Sequence, residues 1–249
     1  LQFFALSIFA ASVMAAPPPS YVVETIKVPK HIVLEVGGMG FWDDGTLLMC
    51  TRRGEIWKYK NGGFRRFAFG LHEPLGLKTG KRGEVWVIQR GEVTHIRDTD
   101  GDGKADRFDT LNQGWGYTGN YHQYAFGLER DNAGNFYGTL GLGFYRGGDR
   151  FKSAWLGTAD DIKYRGWVIK ITPQGKLIPF APGLRAPNGI TLSPGGELFT
   201  TDNQGSYIAC GWLMHVRQGE FLGHPSGLID DPRYKEPWKI PREKLAALR

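Results

Sequence analysis

A short module that recurs four times is the feature of this sequence that most constrains its fold. Each copy has an apolar–glycine–apolar start, a polar turn and a β-prone strand, and the leading glycines are Gly40, Gly76, Gly127 and Gly189. Units of about 40 residues with short strands and glycine-rich turns are typical of β-propeller blades. The repeat therefore predicts an all-β chain, a β-propeller of four-stranded blades. A generic β-sandwich with accidental similarity is the weaker alternative.

The positions of the copies set the expected domain boundaries. Blades are predicted over about 31–71, 72–112, 121–184 and 185–225, within a propeller region at 17–225. The third unit contains a long excursion, and long ordered loops on a β scaffold usually carry function. The β-rich run 21–36 predicts an entry strand. Residues 226–249, rich in proline and charge, predict an incomplete next segment or a linker.

The N-terminal residues 1–16 form an uncharged apolar run that closes with small residues. This is the pattern of the later part of a signal peptide. A membrane-spanning helix would need about 20 apolar residues, and the prolines at 17–19 arrive too early for one. The sequence thus predicts a partial signal peptide, a secreted or periplasmic location and no stable membrane span.

The chain is basic, with a net charge of +6 and a pI near 9.3. Its densest basic group, within residues 52–66, alternates with aromatic residues. A solvated strand face explains this group better than nucleic-acid binding, because no recognition module accompanies it. We therefore expect no nucleic-acid partner. Cys50 and Cys210 fall in nonadjacent units, too far apart to bond, and are expected to be two buried thiols.

An acidic loop follows the second unit and has the spacing of a calcium site. The candidate ligands, at positions 1, 3, 5, 7, 9 and 12 of the loop, are Asp98, Asp100, Asp102, Lys104 (through its carbonyl), Asp106 and Asp109. Oxygen ligands at this spacing wrap around one Ca²⁺, and Gly103 permits the sharp turn. Both flanks read as strands, which argues against a paired EF-hand. The alternative is a metal-free acidic hairpin turn, and in either case the loop is expected to stiffen a blade.

Two further stretches carry a resemblance to a known family. NYHQYAFGLERDNAGNFYGTLG, beginning at Asn120, and GLRAPNGITLSPGGELFTTDNQG, beginning at Gly183, resemble segments of soluble PQQ-dependent (quinoprotein) glucose and aldose sugar dehydrogenases. The sequences of the repeats are similar to those of secreted sugar-dehydrogenase-like propellers, which are often fused to c-type haem domains. The resemblance spans about residues 31–225. It implies a four-blade portion of a six-bladed ring whose central opening binds PQQ with a bridging Ca²⁺, a small-molecule sugar substrate, and a c-type cytochrome as possible electron acceptor.

The same resemblance assigns roles to four residues. His122 matches the base that takes the proton of the sugar C1 hydroxyl while hydride passes to PQQ, and Arg185 matches the cation that meets the quinone oxygens. Gly205 and Ser206 match the turn whose carbonyls hold the cofactor's Ca²⁺. The residue types suit the chemistry, because histidine titrates near neutrality and a fixed guanidinium stabilises developing negative charge. PQQ supplies the redox step.

The sequence departs from the family pattern at three places. The family's asparagine after the arginine is Ala186 here, the aspartate before its histidine is Tyr121, and the proline of its calcium turn is Ser206. Two outcomes are therefore open. Either further blades complete the site, or the fold is kept without the activity.

Two other functions remain as alternatives. The second stretch also resembles gluconolactonase and regucalcin-type propellers, in which a divalent metal polarises a lactone carbonyl; the implied ligands are Glu73, Asn188 and Asp202. The other alternative is a non-catalytic glycan-binding propeller. Its stacking platforms for sugar rings would be Trp115, Tyr117 and Tyr121.

Overall fold

The computed structural model describes residues 21–117, 120–143, 162–203 and 211–248. Within these ranges the chain forms four antiparallel sheets. The first contains β1 (Val36–Phe41), β2 (Leu47–Thr51), β3 (Glu55–Lys60) and β4 (Gly63–Ala68), and the second contains β5 (Gly76–Thr79), β6 (Glu84–Ile88), β7 (Val93–Arg97) and β8 (Arg107–Asn112). The third contains β9 (Ala125–Arg130), β10 (Phe136–Leu140), β11 (Trp167–Ile171) and β12 (Leu177–Pro182), and the fourth contains β13 (Pro187–Leu192), β14 (Leu198–Asn203) and β15 (Gly211–Val216).

The strand order confirms the predicted all-β propeller architecture. In every sheet the strands follow one another in chain order, so the first strand always lies at one edge. These first strands, β1, β5, β9 and β13, pack against one another in succession. Sheets that meander outward from a row of neighbouring inner strands are propeller blades.

The glycines of the repeat lie on these inner strands and permit their close approach. A Cβ added to Gly76 of β5 would lie 2.5 Å from the carbonyl carbon of Gly127 in β9, closer than any side chain allows. Gly127 and Gly189 also have positive φ angles of 60° and 95°. Both lie where the register of their strand pairs shifts, and glycine adopts such bulge conformations without steric cost. The sequence repeat is therefore a packing requirement of the inner strands.

Three layers of buried side chains fill the spaces between consecutive sheets. The layer between the first two sheets includes Leu48, Ile56, Val85 and Ile96. The next is built around Ile88, Trp115, Leu140 and Ile169, and the third around Val168, Leu184, Leu198 and Val216. Burying large apolar side chains contributes about 1.5–3 kcal/mol each. These layers hold the sheets face to face and fix the loops at their ends.

The structure outside the sheets bears on two predictions, the entry strand at 21–36 and the C-terminal segment at 226–249. No strand forms in described residues 21–35, so the predicted entry strand is wrong. Residues 226–249 begin within a 3₁₀ helix, Pro225–Asp230, and continue through a second, Pro237–Lys239, to a short helix α1, Arg242–Ala246. Phe221, Leu228 and Leu245 form a small apolar cluster there.

The chain divides into two compact units, Leu1–Ile32 and Val33–Arg249, and the second contains all the described strands. None of the described helices has the length and apolar character needed to cross a membrane. Cys50 is a buried free thiol, as predicted. Cys210 and the predicted signal peptide at 1–16 lie outside the described residues.

Candidate functional site

Loops from all four sheets meet at one end of the inner strands. The described residues of these six loops are 52–54, 69–75, 89–92, 113–117 with 120–124, 141–143 with 162–166, and 183–186. Hydrogen bonds join them in succession: Arg52 Nη1 to Tyr121 Oη (3.3 Å), Arg90 Nη1 to Asn120 O (2.9 Å), Gly141 N to Tyr124 O (3.0 Å) and Leu142 N to Arg185 O (2.8 Å). We call this set the upper loops. Their mutual bonding makes one continuous surface from separate blades.

His122 lies among the upper loops, in the connection between β8 and β9, and is exposed. Its backbone N–H donates to Oδ1 of Asn120 at 3.0 Å, which closes a tight turn. Its ring meets the ring of Tyr121 edge-on, with centroids 5.2 Å apart. A turn that is fixed by its own side chain presents the imidazole to solvent, where a substrate can reach it.

Arg185 lies in the connection between β12 and β13, at the same end as His122. Its Nη1 donates to the carbonyl of Asn203 at 2.9 Å, and the side chain is half-buried. Burial lowers the pKa of the guanidinium, and the charge of Asp202 opposes that shift. The backbone N–H of Gly141 donates to the carbonyl of Tyr124 in the loop of His122, and that of the next residue, Leu142, donates to the carbonyl of Arg185. The structure therefore brings the loops of the two predicted catalytic residues side by side.

Asp202, a predicted metal ligand of the lactonase alternative, holds the loop of Arg185 in place. Its carboxylate is buried and accepts hydrogen bonds from the backbone N–H groups of Arg185 (2.9 Å) and Ala186 (2.8 Å). Burial raises its pKa to about 6, and these bonds work against that rise. Both oxygens are thus engaged by the backbone. Asn188, another member of that ligand set, is exposed on β13.

Glu73, the third of those ligands, forms an ion pair with a residue that the sequence did not reveal. Its Oε2 accepts a hydrogen bond from Nε of Arg90 at 2.7 Å, and Nη2 of Arg90 lies 2.7 Å from the same oxygen in the ion pair. Arg90 and Arg165 are both buried beneath the loop of His122 and donate to its backbone carbonyls. In the sequence, each is a single basic residue beside a glycine, and that pattern does not signal burial.

The predicted sugar-stacking platforms separate into two groups. Trp115 is fully buried, and its Nε1 donates to the carbonyl of Arg90 at 3.0 Å. Its predicted role as a platform is therefore wrong. Tyr117 and Tyr121 are 45% and 61% exposed, and both belong to the upper loops. The ring of Tyr121 lies beside His122, and that of Tyr117 lies beside His72, each with centroids 5.2 Å apart.

The acidic loop lies at the opposite end of the second sheet, between β7 and β8, as the strand-like flanks predicted. Oxygen atoms of Asp98, Asp100 and Asp102 all lie within 4.8 Å of one another, the spacing of a possible metal site. Asp98 accepts from the N–H groups of Gly101 (2.7 Å) and Gly103 (2.9 Å). The loop therefore folds around its first carboxylate.

The two other predicted carboxylate ligands of that loop have protein partners. Asp106 accepts from the backbone N–H of Thr99 at 2.7 Å. Asp109 lies in β8, where its carboxylate pairs with Arg97 and Arg107. Lys104, predicted to bind through its carbonyl, donates its backbone N–H to Asp102 at 2.7 Å. The structure thus brings together three of the five predicted carboxylate ligands.

A cavity of about 740 Å³ also lies at this opposite end, lined in part by Asp44, Lys58 and Asp98. Its described lining contains no histidine, and the ammonium of Lys58 donates to the carbonyl of Gly103 there. His72 and His122 lie among the upper loops instead, and histidine is the side chain suited to proton transfer near neutral pH. For this reason we place the candidate site at the upper loops although the cavity is elsewhere. Gly205 and Ser206, the predicted cofactor-calcium turn, lie outside the described residues.

Sequence comparison matches residues 63–224, well over half of the chain, to a domain of unknown function, DUF7133. No curated protein matches the sequence significantly. The match takes in five of the six upper loops, including those of His122 and Arg185, and leaves out only residues 52–54.

Comparison with solved structures finds sugar dehydrogenases with the same fold. The PQQ-bound aldose sugar dehydrogenase of Streptomyces coelicolor has a TM-score of 0.64 at 16% identity, covering 84% of this chain and 68% of that one. The oxidoreductase (glucose dehydrogenase) of Thermus thermophilus has a TM-score of 0.61 at 21% identity, with 81% and 69% covered. The apo aldose sugar dehydrogenase of Escherichia coli has a TM-score of 0.57 at 18% identity, with 77% and 63% covered. These likenesses confirm the resemblance at the level of the fold, and the chain spans about two thirds of each structure.

Proposed function

The chain belongs to the DUF7133 family, and from that premise we propose that it is a PQQ- and Ca²⁺-dependent sugar dehydrogenase. The fold likeness to sugar dehydrogenases supports the class of reaction. The observation that carries the proposal is the shared support of the His122 and Arg185 loops by Gly141 and Leu142. It joins a proton acceptor and a fixed cation in one surface.

In this proposal His122 takes the proton of the sugar C1 hydroxyl. Oxidation of an alcohol releases a proton and a hydride, and an imidazole accepts the proton in the pH range where enzymes work. The turn closed by Asn120 keeps the ring exposed to the substrate. Tyr121, beside the ring of His122, gives the sugar an aromatic surface.

The charges of the upper loops fit an anionic cofactor. Four of these loops each contribute an arginine: Arg52, Arg90, Arg165 and Arg185. The guanidinium groups of Arg52 and Arg185 are only partly buried, so their positive charge can reach a bound anion. PQQ carries carboxylates and a quinone, and when bound it supplies the hydride acceptor. Arg185 would hold its quinone oxygens, and Gly205 and Ser206 would hold the bridging Ca²⁺.

A second Ca²⁺ is proposed for the acidic loop at the opposite end. Asp98, Asp100 and Asp102 would bind it with the oxygen ligands that Ca²⁺ prefers. Its distance in the fold from the upper loops gives it a structural role. It would hold the β7–β8 connection against the first sheet.

The partners and location follow from the same proposal. The substrate is an aldose, and a c-type cytochrome is the proposed electron acceptor. Residues 1–16 would direct export to the periplasm or the medium. Oxidation outside the cytoplasm would pass electrons to such a cytochrome.

The test is reconstitution of the full-length protein with PQQ and Ca²⁺, followed by dye reduction with a panel of aldoses. We expect reduction that requires sugar, PQQ and Ca²⁺ together. The substitution His122→Ala should lower kcat by about 10²–10⁴-fold and leave thermal unfolding unchanged, because the side chain is exposed.

Arg130→Met is the matched control, because Arg130 stacks on Trp86 (4.8 Å to the ring centroid) away from the upper loops. It should keep wild-type turnover. Lactone hydrolysis without dye reduction would contradict the proposal and favour the lactonase. Sugar binding without either reaction would favour the glycan-binding alternative.

A further inference from the structure

The loop that carries His122 is held from beneath by two buried guanidinium groups. This loop, the β8–β9 connection at 113–124, has four carbonyls bonded to them, those of Gly116, Asn120, Tyr121 and Tyr124. Buried charges cost free energy unless they are paired or hydrogen-bonded. Two buried guanidinium groups beneath one loop therefore indicate a function that offsets this cost.

Arg90 reaches this loop from the β6–β7 connection. Only 6% of it is exposed. Its Nη1 donates to the carbonyl of Asn120 at 2.9 Å, and its guanidinium carbon lies 4.5 Å from the ring centroid of Tyr124. Nε donates to Oε2 of Glu73, and Nη2 forms an ion pair with the same oxygen. One guanidinium thus connects three loops, which uses the fixed fork of donors that only arginine has.

Arg165 reaches the same loop from the β10–β11 connection. It is 3% exposed, and its Nη1 and Nη2 donate to the carbonyls of Tyr124 (3.2 Å) and Gly116. Among the described residues no carboxylate forms an ion pair with it. Its charge is therefore satisfied by loop carbonyls. The two arginines hold the loop at both of its ends.

Glu73 shows that this arrangement is maintained against backbone strain. Its φ of +50° is in the left-handed region that non-glycine residues rarely adopt. Such strain costs on the order of 1–3 kcal/mol and persists where surrounding contacts impose it. Here the contact is the hydrogen-bonded ion pair with Arg90. The strained residue thus aims its carboxylate at the guanidinium.

We infer that Arg90 and Arg165 are positioning residues for His122: their bonds to the loop carbonyls fix the imidazole relative to Arg185. This inference rests on the proposed function, in which His122 takes the substrate proton. The bond from Gly141 N to Tyr124 O completes the connection, since Leu142 binds the loop of Arg185. Movement of the His122 loop would change the separation of the two reacting groups.

The test compares Arg90→Lys and Arg165→Lys with Arg130→Met in the full-length protein. Lysine keeps the positive charge but cannot donate to two separate acceptors in a fork. Amide hydrogen exchange of residues 120–124, measured by mass spectrometry without cofactor, should become about tenfold faster in either lysine variant. In reconstituted enzyme kcat should fall about 10–100-fold, with KM changed less than about twofold.

The outcomes separate the inference from the proposed function. Faster exchange together with the loss of kcat supports the positioning role. Unchanged exchange, or faster exchange with wild-type kcat, overturns it. The proposed function fails independently if His122→Ala keeps wild-type turnover, whatever the exchange shows. If Arg90→Lys does not fold, Glu73→Gln removes the anchor of Arg90 without touching the arginine, and the same readouts apply.

Discussion

The two ends of the sheets use charge in opposite ways. At the upper end, Arg90 and Arg165 of the upper loops and Asp202 of β14 are buried, and each bonds to backbone groups of another loop. At the other end, Asp100 and Asp102 are exposed, and each accepts an N–H of its own loop. One end is built by contacts between loops, and the other is a local turn.

This difference indicates where chemistry belongs. Buried charged groups are expensive, and clusters of them with shifted pKa values concentrate at functional sites. Exposed carboxylates have a low free-energy cost, so they need no function beyond binding an ion. We therefore propose a catalytic role for the upper loops and a structural role for the acidic loop. The following predictions test that division.

Among the three sites compared next, the largest expected effect is at Arg185. Arg185→Met removes a fixed cation from the proposed quinone site and should lower turnover about 100-fold, the scale for losing one electrostatic contact in a transition state. Arg185→Lys should retain part of the activity, because it keeps the charge. Steady-state dye reduction measures both, and wild-type turnover in the methionine variant would remove Arg185 from the site.

The next effect concerns Asp202 and is read as stability. Its folded-state pKa of about 6 lies above the ordinary value of 3.8, so the folded protein binds this proton more tightly than the unfolded chain. Stability is therefore lost as the pH rises from about 4 to 6. Asn cannot ionise, so between pH 4 and 7 wild type should lose about 1–3 kcal/mol relative to Asp202→Asn.

Urea unfolding of both proteins at several pH values measures that difference. Other titrating groups contribute equally to both proteins and cancel. Parallel stability curves would show that Asp202 is ionised at no cost. That result would contradict the claim that burial of Asp202 against the loop of Arg185 costs stability when the carboxylate ionises.

The smallest expected effect is at the acidic loop. Asp100→Ala should weaken Ca²⁺ binding about tenfold by calorimetry without PQQ, because one carboxylate ligand is removed. At saturating Ca²⁺ its turnover should equal that of wild type. Asp43→Ala, an exposed acid outside the loop, is the control. Identical binding in Asp100→Ala would refute the ligand assignment, and lost turnover would refute the structural role.

The sequence predicted the parts that repeat locally. The leading glycines predicted the inner strands, because each copy carries the same packing requirement, and Asp98–Asp102 kept their loop spacing. The entry strand at 21–36 was predicted from β-prone residues alone, but a strand also needs a neighbour. Trp115 looked like a surface ring, yet it fills a core layer. Arg90 and Arg165 could not be found, because their partners lie in other loops, 17 to 49 residues away in the sequence.

The most direct test of the central claim is a single-turnover measurement at the upper loops. The full-length protein, loaded with PQQ and Ca²⁺, is mixed with an aldose in the absence of dye, and the absorbance of bound PQQ is followed. Our account predicts conversion of oxidised to reduced PQQ in wild type and in Arg130→Met, and a rate at least about 100-fold slower in His122→Ala. Bound PQQ that stays oxidised in wild type, or equal rates in all three proteins, would contradict it.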